Sequence, residues 1–334
     1  MREHDLIKSI AESFARSDCQ KNALFECDSE IIQIGKSLWG LSMDEFSPEE
    51  DLFTSESPVR LGRNLAVATL SDLLAAGAEP RFFMHSVSFP AGVEREFVDG
   101  LMEGIRTILD SLNCAMCGGD VGTADLWRFC GFGMGPITSD QPLTHRLPGE
   151  PQTLWTTGTL GDANLAALQN TATPEFELRL KESDLINSCA SACIDTSGGL
   201  MDALWLLHEQ NPSLRFDVRL DDVPIAKGAV QAAKAMGFPV ESALLGGAGE
   251  YELLFAVPEA AVSELNNDLY SIGAACIGST REDQPPGMHL SRNDGLQRLM
   301  TDPPPCPRAV ANSQEHVREV LTMARKLFGI SERP

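Results

Sequence analysis

Four glycine-flanked acidic segments, each beside an apolar run, constrain this chain more than any other feature. They are Thr69 to Pro80 (TLSDLLAAGAEP), Gly118-Gly119-Asp120, Asp195 to Leu200 (DTSGGL) and Gly246 to Phe255 (GGAGEYELLF). Glycine lets the main chain approach a ligand closely, and carboxylates are the hard donors that Mg2+ takes. The set therefore suits a site where magnesium and phosphate meet backbone. Each segment alone has a plainer reading, as a turn or a helix cap.

The 334 residues can bury a large core and divide into about two domains. Strands alternate with helices in both halves, which predicts an α/β or α+β protein. A turn-dense connection, Thr138 to Gly149, marks the boundary, giving expected domains 1–145 and 146–334. Periodicity predicts a helix over 60–76 that is apolar nearly all round, and an amphipathic helix over 93–112 with Phe97, Leu101, Ile105, Ile108 and Leu112 on one face. Further helices are expected over 5–14, 200–209, 225–236, 258–269 and 313–328. Strands are expected over 38–44, 82–89, 114–117, 127–137, 153–157, 216–220, 251–257, 274–277 and 288–290, with a loop over 47–58.

Acidic residues outnumber basic ones 48 to 26, for a net charge of −22. Such a surface repels nucleic acid and anionic membrane, so neither is an expected partner. A phosphorylated substrate would need divalent cations between it and the protein. No run reaches the length of a membrane span, and Met1 to Asp5 lacks the apolar core of a signal peptide, so the expected location is cytoplasmic. Nine cysteines in such a chain read as free thiols. The pairs Cys114/Cys117 and Cys189/Cys193 lack the second pair or nearby histidines of a zinc site.

Asp72 is the sharpest candidate. Between Leu65 and Ala76 only Thr69, Ser71 and Asp72 are polar, and Asp72 shares a helical face with Leu65 and Ala68. A carboxylate there needs a cation or several donors. Asp120 follows Gly118 and Gly119 and is expected at the end of a strand, facing a cleft. Asp195 ends one apolar strand and opens a helix, where it or Ser197 could equally be a cap. Asp44 and Asp28 are further candidates, and convergence of Asp44, Asp72 and Asp120 on one Mg2+ is the expectation that separates an enzyme from a binding protein. Gly158 to Asp162 forms a strand–loop–helix turn whose amides could hold phosphate. It lacks the Gly-Lys-Ser/Thr ending of a P-loop, and no G-x-G-x-x-G, HExxH or G-x-S-x-G pattern marks another site.

Taken together the segments resemble the superfamily of aminoimidazole ribonucleotide synthetase, selenophosphate synthetase, the hydrogenase maturation factor HypE and thiamine-monophosphate kinase. The kinase pattern N-L-S-D-(L/I)-A-A-M-G-A-x-P is matched by residues 69–80. G-G-D-T-T is matched in part by 118–122, T-G-T-(L/P)-G-D by 157–162, D-(I/L)-S-D-G-L by 195–200 and G-G-E-D-Y-E-L-L-F by 247–255. The resemblance implies a two-domain PurM-like fold whose N-terminal domain forms a β-barrel with its mate in a homodimer. It implies ATP and Mg2+ as cofactors, with transfer of the γ-phosphate of ATP onto thiamine monophosphate or another small, phosphorylated acceptor. Carried over, Asp28, Asp44, Asp72, Asp120 and Asp195 are metal ligands, Asp120 and Asp195 also being catalytic. Gly118, Gly119, Asp120, Arg146, Gly161, Asp162 and Ser197 are the nucleotide-binding set.

The departures are equally specific. The family's G-D-D is Glu26-Cys27-Asp28, the second aspartate of D-x-S-D-G is Gly198, and G-E-D is Ala248-Gly249-Glu250. G-V-H-F has no counterpart in 49–53, R-P-x-P-R appears only as 178–182, and the aromatic G-(W/Y)-D-H-F is absent after Pro303. Two alternatives follow: an ATP-dependent enzyme acting on another small molecule, or a catalytically reduced homologue that binds a nucleotide or partner protein.

Overall fold

The structure, a computed structural model, describes residues 3–49, 57–169, 171–283, 285–307, 310 and 313–329. It is a mixed α/β arrangement of two sheets with helices packed against them. Most of the expected loop over 47–58, and with it the 49–53 segment beyond Glu49, lies outside the described residues.

The first sheet contains β1 (Glu30–Ile34), β2 (Ser37–Phe46), β3 (Phe82–Phe89), β4 (Ala115–Thr123) and β5 (Arg128–Pro136), in the order β1-β2-β5-β3-β4. Its ladders are antiparallel except β3–β4, which run parallel around an intervening helix. After α1 (Glu3–Ala11), helices α2 (Pro58–Ala75) and α3 (Arg95–Leu112) belong to this half. Ser57 caps α2 by accepting the Arg60 N–H, with Pro58 at the first helical position. The two helices pack closely because Gly62 and Gly104 face each other's backbones. A Cβ at Gly62 would lie 2.0 Å from the Leu101 carbonyl oxygen, and one at Gly104 2.0 Å from that of Val59.

The second sheet runs β12-β11-β8-β10-β6-β9-β7. Its strands are β6 (Gln152–Thr156), β7 (Ala192–Asp195), β8 (Arg215–Arg219), β9 (Leu253–Pro258), β10 (Ala275–Arg281), β11 (Gly287–Ser291) and β12 (Gln297–Met300). The helices are α4 (Asp162–Gln169), α5 (Leu180–Cys189), α6 (Leu200–Gln210), α7 (Lys227–Met236), α8 (Glu259–Ser271) and α9 (Ser313–Phe328). One core joins Ile194, Leu204, Phe216, Ile277 and Leu290 to α6 and α9. Trp155, Phe255, Val257, Ile186 and Leu269 form another with α5 and α8.

The long helices and most strands fall where periodicity expects them; β1, α5 and β12 are additions. β1 pairs with β2 through a two-residue turn at Gly35-Lys36, and α5 has no side-chain cap to announce it. Among the described residues no helix is long and apolar enough to cross a membrane. All nine cysteines are free thiols, as expected.

Candidate functional site

Beyond its first turns helix α2 is buried nearly all round, as its composition demands, between α3, the first sheet and β7. From Asn64 to Ala76 the one residue that is not buried is Asp72. Its carboxylate therefore stands at a window in an otherwise closed helix, rather than on a closed face. Asp28 reaches the same place from the loop before β1, and Asp195 from the end of β7. One carboxylate oxygen from each of the three lies within 4.8 Å of the others. Two of these acids come from the part of the chain that builds the first sheet, and one comes from the second sheet.

The three acids are unevenly satisfied. Asp28 is held at both oxygens: Oδ1 lies 3.0 Å from His145 Nε2, and Oδ2 accepts the Asp195 N–H at 2.9 Å. Asp195, only 3% exposed, accepts the Ser197 N–H at Oδ1, but its buried Oδ2 has no hydrogen-bond partner. The nearby Ser71 hydroxyl is also buried without a hydrogen bond of ordinary geometry. Burial, then the Asp28 charge, raises the Asp195 pKa to about 6 against the opposing Ser197 N–H and the Ser71 and Ser197 hydroxyls. Although Asp72 keeps some surface, loss of surrounding water raises its pKa well above the carboxylate range, reinforced by Asp44, Asp195 and Asp28, while Ser42 opposes the shift.

An unpaired buried carboxylate oxygen in a group of like charges is costly unless something positive occupies the space between them. Three oxygen donors suit a hard divalent cation. Cys27, standing where the resemblance has an aspartate, does not add a fourth charge. Burial and the Asp28 carboxylate push its thiol pKa far up, and the thiol donates to the Leu143 carbonyl at 3.2 Å.

Other expected residues fall elsewhere. Asp44 lies inside β2, which continues to Phe46. It bears on Asp72 through its charge but is outside the three-acid group. Asp120 is not at a strand end. β4 passes through Gly118, Gly119 and Asp120 beyond an irregularity near Cys117, and Asp120 pairs with Ser86 on an exposed edge strand. Gly119 has no room for a side chain because the His85 ring lies against it. The expected trio of Asp44, Asp72 and Asp120 is thus replaced, among the described residues, by Asp28, Asp72 and Asp195.

In the Gly158–Asp162 turn the Leu160 and Gly161 amides are already engaged within the protein. The Gly161 and Ala163 N–H groups both donate to Glu250 Oε1 at 2.8 Å, and the Leu160 N–H donates to the Pro224 carbonyl. Asp162 accepts the Ala229 N–H and so caps α7. Arg146 is exposed and pairs with Glu26 and the Gln210 carbonyl. Ser197 is exposed beside Asp195, and its carbonyl accepts the Gly249 N–H.

Residues that the motifs did not single out complete the surroundings. His145 is 4% exposed. Its Nδ1 must donate to the Phe25 carbonyl, leaving Nε2 for Asp28. Burial lowers its pKa, but the Asp28 charge and the two hydrogen bonds outweigh that, so the net shift is upward. Arg179 donates to both oxygens of buried Glu252, which also accepts the Thr157 hydroxyl. Only an isolated histidine in the linker could have pointed to His145.

Comparison with known proteins bears on these groups. Residues 28–135 match the family model described as AIR synthase related protein, N-terminal domain. The thiamine-monophosphate kinase of Pyrococcus abyssi is 26% identical over 310 residues, 90% of this chain and 94% of that protein. That of Archaeoglobus fulgidus is 27% identical over 271 residues, 76% of this chain and 85% of its own length. The motif resemblance is borne out. Among solved structures, the complex of AaThiL with AMPPCP and TMP superposes with a TM-score of 0.72 at 21% identity, over 90% of this chain and 94% of that one. The HypE–HypF complex gives 0.71 at 16% identity, over 89% and 99%. These structural likenesses carry the fold.

Proposed function

We propose that the chain is an ATP-dependent kinase of the thiamine-monophosphate kinase type, forming thiamine diphosphate and ADP from thiamine monophosphate and ATP. The observation that carries this reading is the Asp28–Asp72–Asp195 group with its unpartnered Asp195 Oδ2, in a chain similar along most of its length to such kinases. Asp28, Asp72 and Asp195 would hold Mg2+, with Asp44 adding negative potential beside Asp72. When bound, the metal supplies the positive charge that lets two phosphate anions approach. The bond from the γ-phosphorus to the ADP oxygen breaks as one forms to an acceptor phosphate oxygen. The residues hold and orient; they do not form a covalent intermediate in this reading. The Asp195–Gly199 turn, with exposed Ser197, would lie against the phosphates, and Asp120 on β4 would act from the sheet edge.

In the same reading residues 1–145 and 146–334 are two domains, and the enzyme is a cytoplasmic homodimer. Its support is the open face of the first sheet. Met43, Phe82 and Met84 are exposed on that face, and every residue of edge strand β4, Met116 and Val121 among them, is exposed. Monomers rarely leave such an apolar sheet face and edge uncovered. A second reading keeps the chemistry and changes the acceptor. Arg179, in the stretch that replaces R-P-x-P-R, is committed to Glu252 and Glu182, so it is not free to receive a phosphorylated acceptor.

The test is turnover by purified protein with Mg2+, ATP and thiamine monophosphate beside a panel of other small phosphates and amines. Formation of ADP and thiamine diphosphate only with thiamine monophosphate supports the first reading. Turnover with another acceptor alone supports the second, and absence of both turnover and nucleotide binding rejects both.

A further inference from the structure

His145 has every polar atom engaged. Its N–H donates to the Glu26 carbonyl at 2.7 Å, and its own carbonyl accepts from Asn211 Nδ2 at 2.7 Å. Nδ1 meets the Phe25 carbonyl at 2.9 Å and Nε2 meets Asp28 Oδ1 at 3.0 Å. Phe25 is held at φ 60°, a left-handed conformation costly for an aromatic residue. The loop before Asp28 is therefore folded around this imidazole. Among the described residues it is the only basic side chain that hydrogen-bonds any of the three acids.

We propose that His145 is a positioning residue that fixes the carboxylate of Asp28 for cation binding; this rests on the phosphotransferase reading. Asp28 is gripped at two points by separate segments, His145 from the linker and the Asp195 N–H from β7. Two grips set the plane of the carboxylate, so that each oxygen keeps a lone pair in a fixed direction. Without the ring, Asp28 retains one grip and can rotate about its terminal torsion. Partners that orient a ligand in this way typically contribute ten- to a hundredfold to metal affinity. A glutamine at 145 presents an amide with a donor on one side only and cannot donate to both Phe25 and Asp28. A residue that only joined the linker to the loop would affect stability and leave metal affinity alone.

The experiment titrates Mn2+ into wild type, H145A, H145Q and N211A in the presence of a non-hydrolysable ATP analogue, and measures the melting temperature of each without metal. The expected result is a Mn2+ dissociation constant raised about ten- to a hundredfold in H145A and H145Q. N211A, which loses the bonds to the His145 carbonyl and the Leu147 N–H but not Asp28, loses thermal stability and keeps its Mn2+ affinity. In turnover, the Mg2+ activation constant of H145Q rises while kcat at saturating Mg2+ stays near wild type. Should H145A lose its fold, H145Q, which keeps most of the volume, carries the same test. Wild-type Mn2+ affinity in the folded His145 variants overturns the inference alone. A wild-type protein that binds no Mn2+ overturns the metal-site reading and this inference with it.

Discussion

Two groups of buried acids in this molecule look alike in sequence and differ in everything that matters physically. Glu250 and Glu252, in the fourth acidic segment, are nearly inaccessible and are met by donors of the protein itself. Glu250 accepts two backbone N–H groups at the start of α4, while Glu252 takes a bidentate Arg179 and the Thr157 hydroxyl. Asp28, Asp72 and Asp195 converge on one another, with one oxygen left unpaired. The first group is closed by the protein's own donors, so its role is to tie β9 and its loop to α4 and α5. The second has fewer donors than acceptor oxygens and is the group that suits a cation. A glycine-flanked carboxylate thus signals a site when its neighbours are other carboxylates, and a strut when they are donors.

The largest effect that could break this contrast is on catalysis. Asp72→Asn and Asp195→Asn should lower turnover about a thousandfold by removing ligands for the charge that stabilises the reacting phosphates. Each should leave metal-free melting unchanged or raised, because asparagine relieves the crowding of acidic groups. A fall in metal-free stability would make these acids structural. The reverse pattern is expected at Glu252: truncation to alanine leaves Arg179 buried beside a void and should cost about 3 to 5 kcal/mol by denaturant unfolding. Mn2+ affinity should survive wherever the variant is folded.

A third effect depends on pH. Burial outweighs the two N–H donors and raises the Glu250 pKa from 4.5 to about 7. The folded state thus keeps a proton between those values that the unfolded chain has lost. The stabilisation is complete below pH 4.5 and is lost as pH rises through 7, amounting to roughly 3 kcal/mol at most. Wild type should lose stability relative to Glu250→Gln by up to that much between pH 5 and pH 8 in urea titrations, and parallel profiles would contradict this. The smallest effect is at Asp162. Its replacement by alanine removes the cap of α7, costing about 1 kcal/mol. Nucleotide affinity should not change, whereas a large loss would return the Gly161–Asp162 turn to the binding site.

These contrasts also show what was readable beforehand. Helix α2, strand β3 and helix α9 were legible because their apolar spacing or composition belongs to one kind of element, and local patterns survive folding. Asp72 and Asp195 were legible as candidates because each is polar in an apolar run. Asp120 was misplaced because two glycines look like the end of a strand. Here β4 continues through them, on an edge where Gly119 makes room for His85. The amides of the 158–162 turn looked available because their partner, Glu250, is 89 residues away from Gly161 along the chain. His145 carried little local signal beyond being a lone histidine in the linker, since its meaning lies in Phe25 and Asp28, brought to it only by the fold. Long-range pairing is what a linear reading lacks, and pairing is what separates the site from the strut.

The most direct measurement is anomalous diffraction from a crystal grown with Mn2+ and a non-hydrolysable ATP analogue. The account predicts a metal peak bounded by Asp28, Asp72 and Asp195, with Asp195 Oδ2 now coordinated and the triphosphate alongside. Nucleotide bound with no metal at that position, and Asp195 Oδ2 still without a partner, would contradict it.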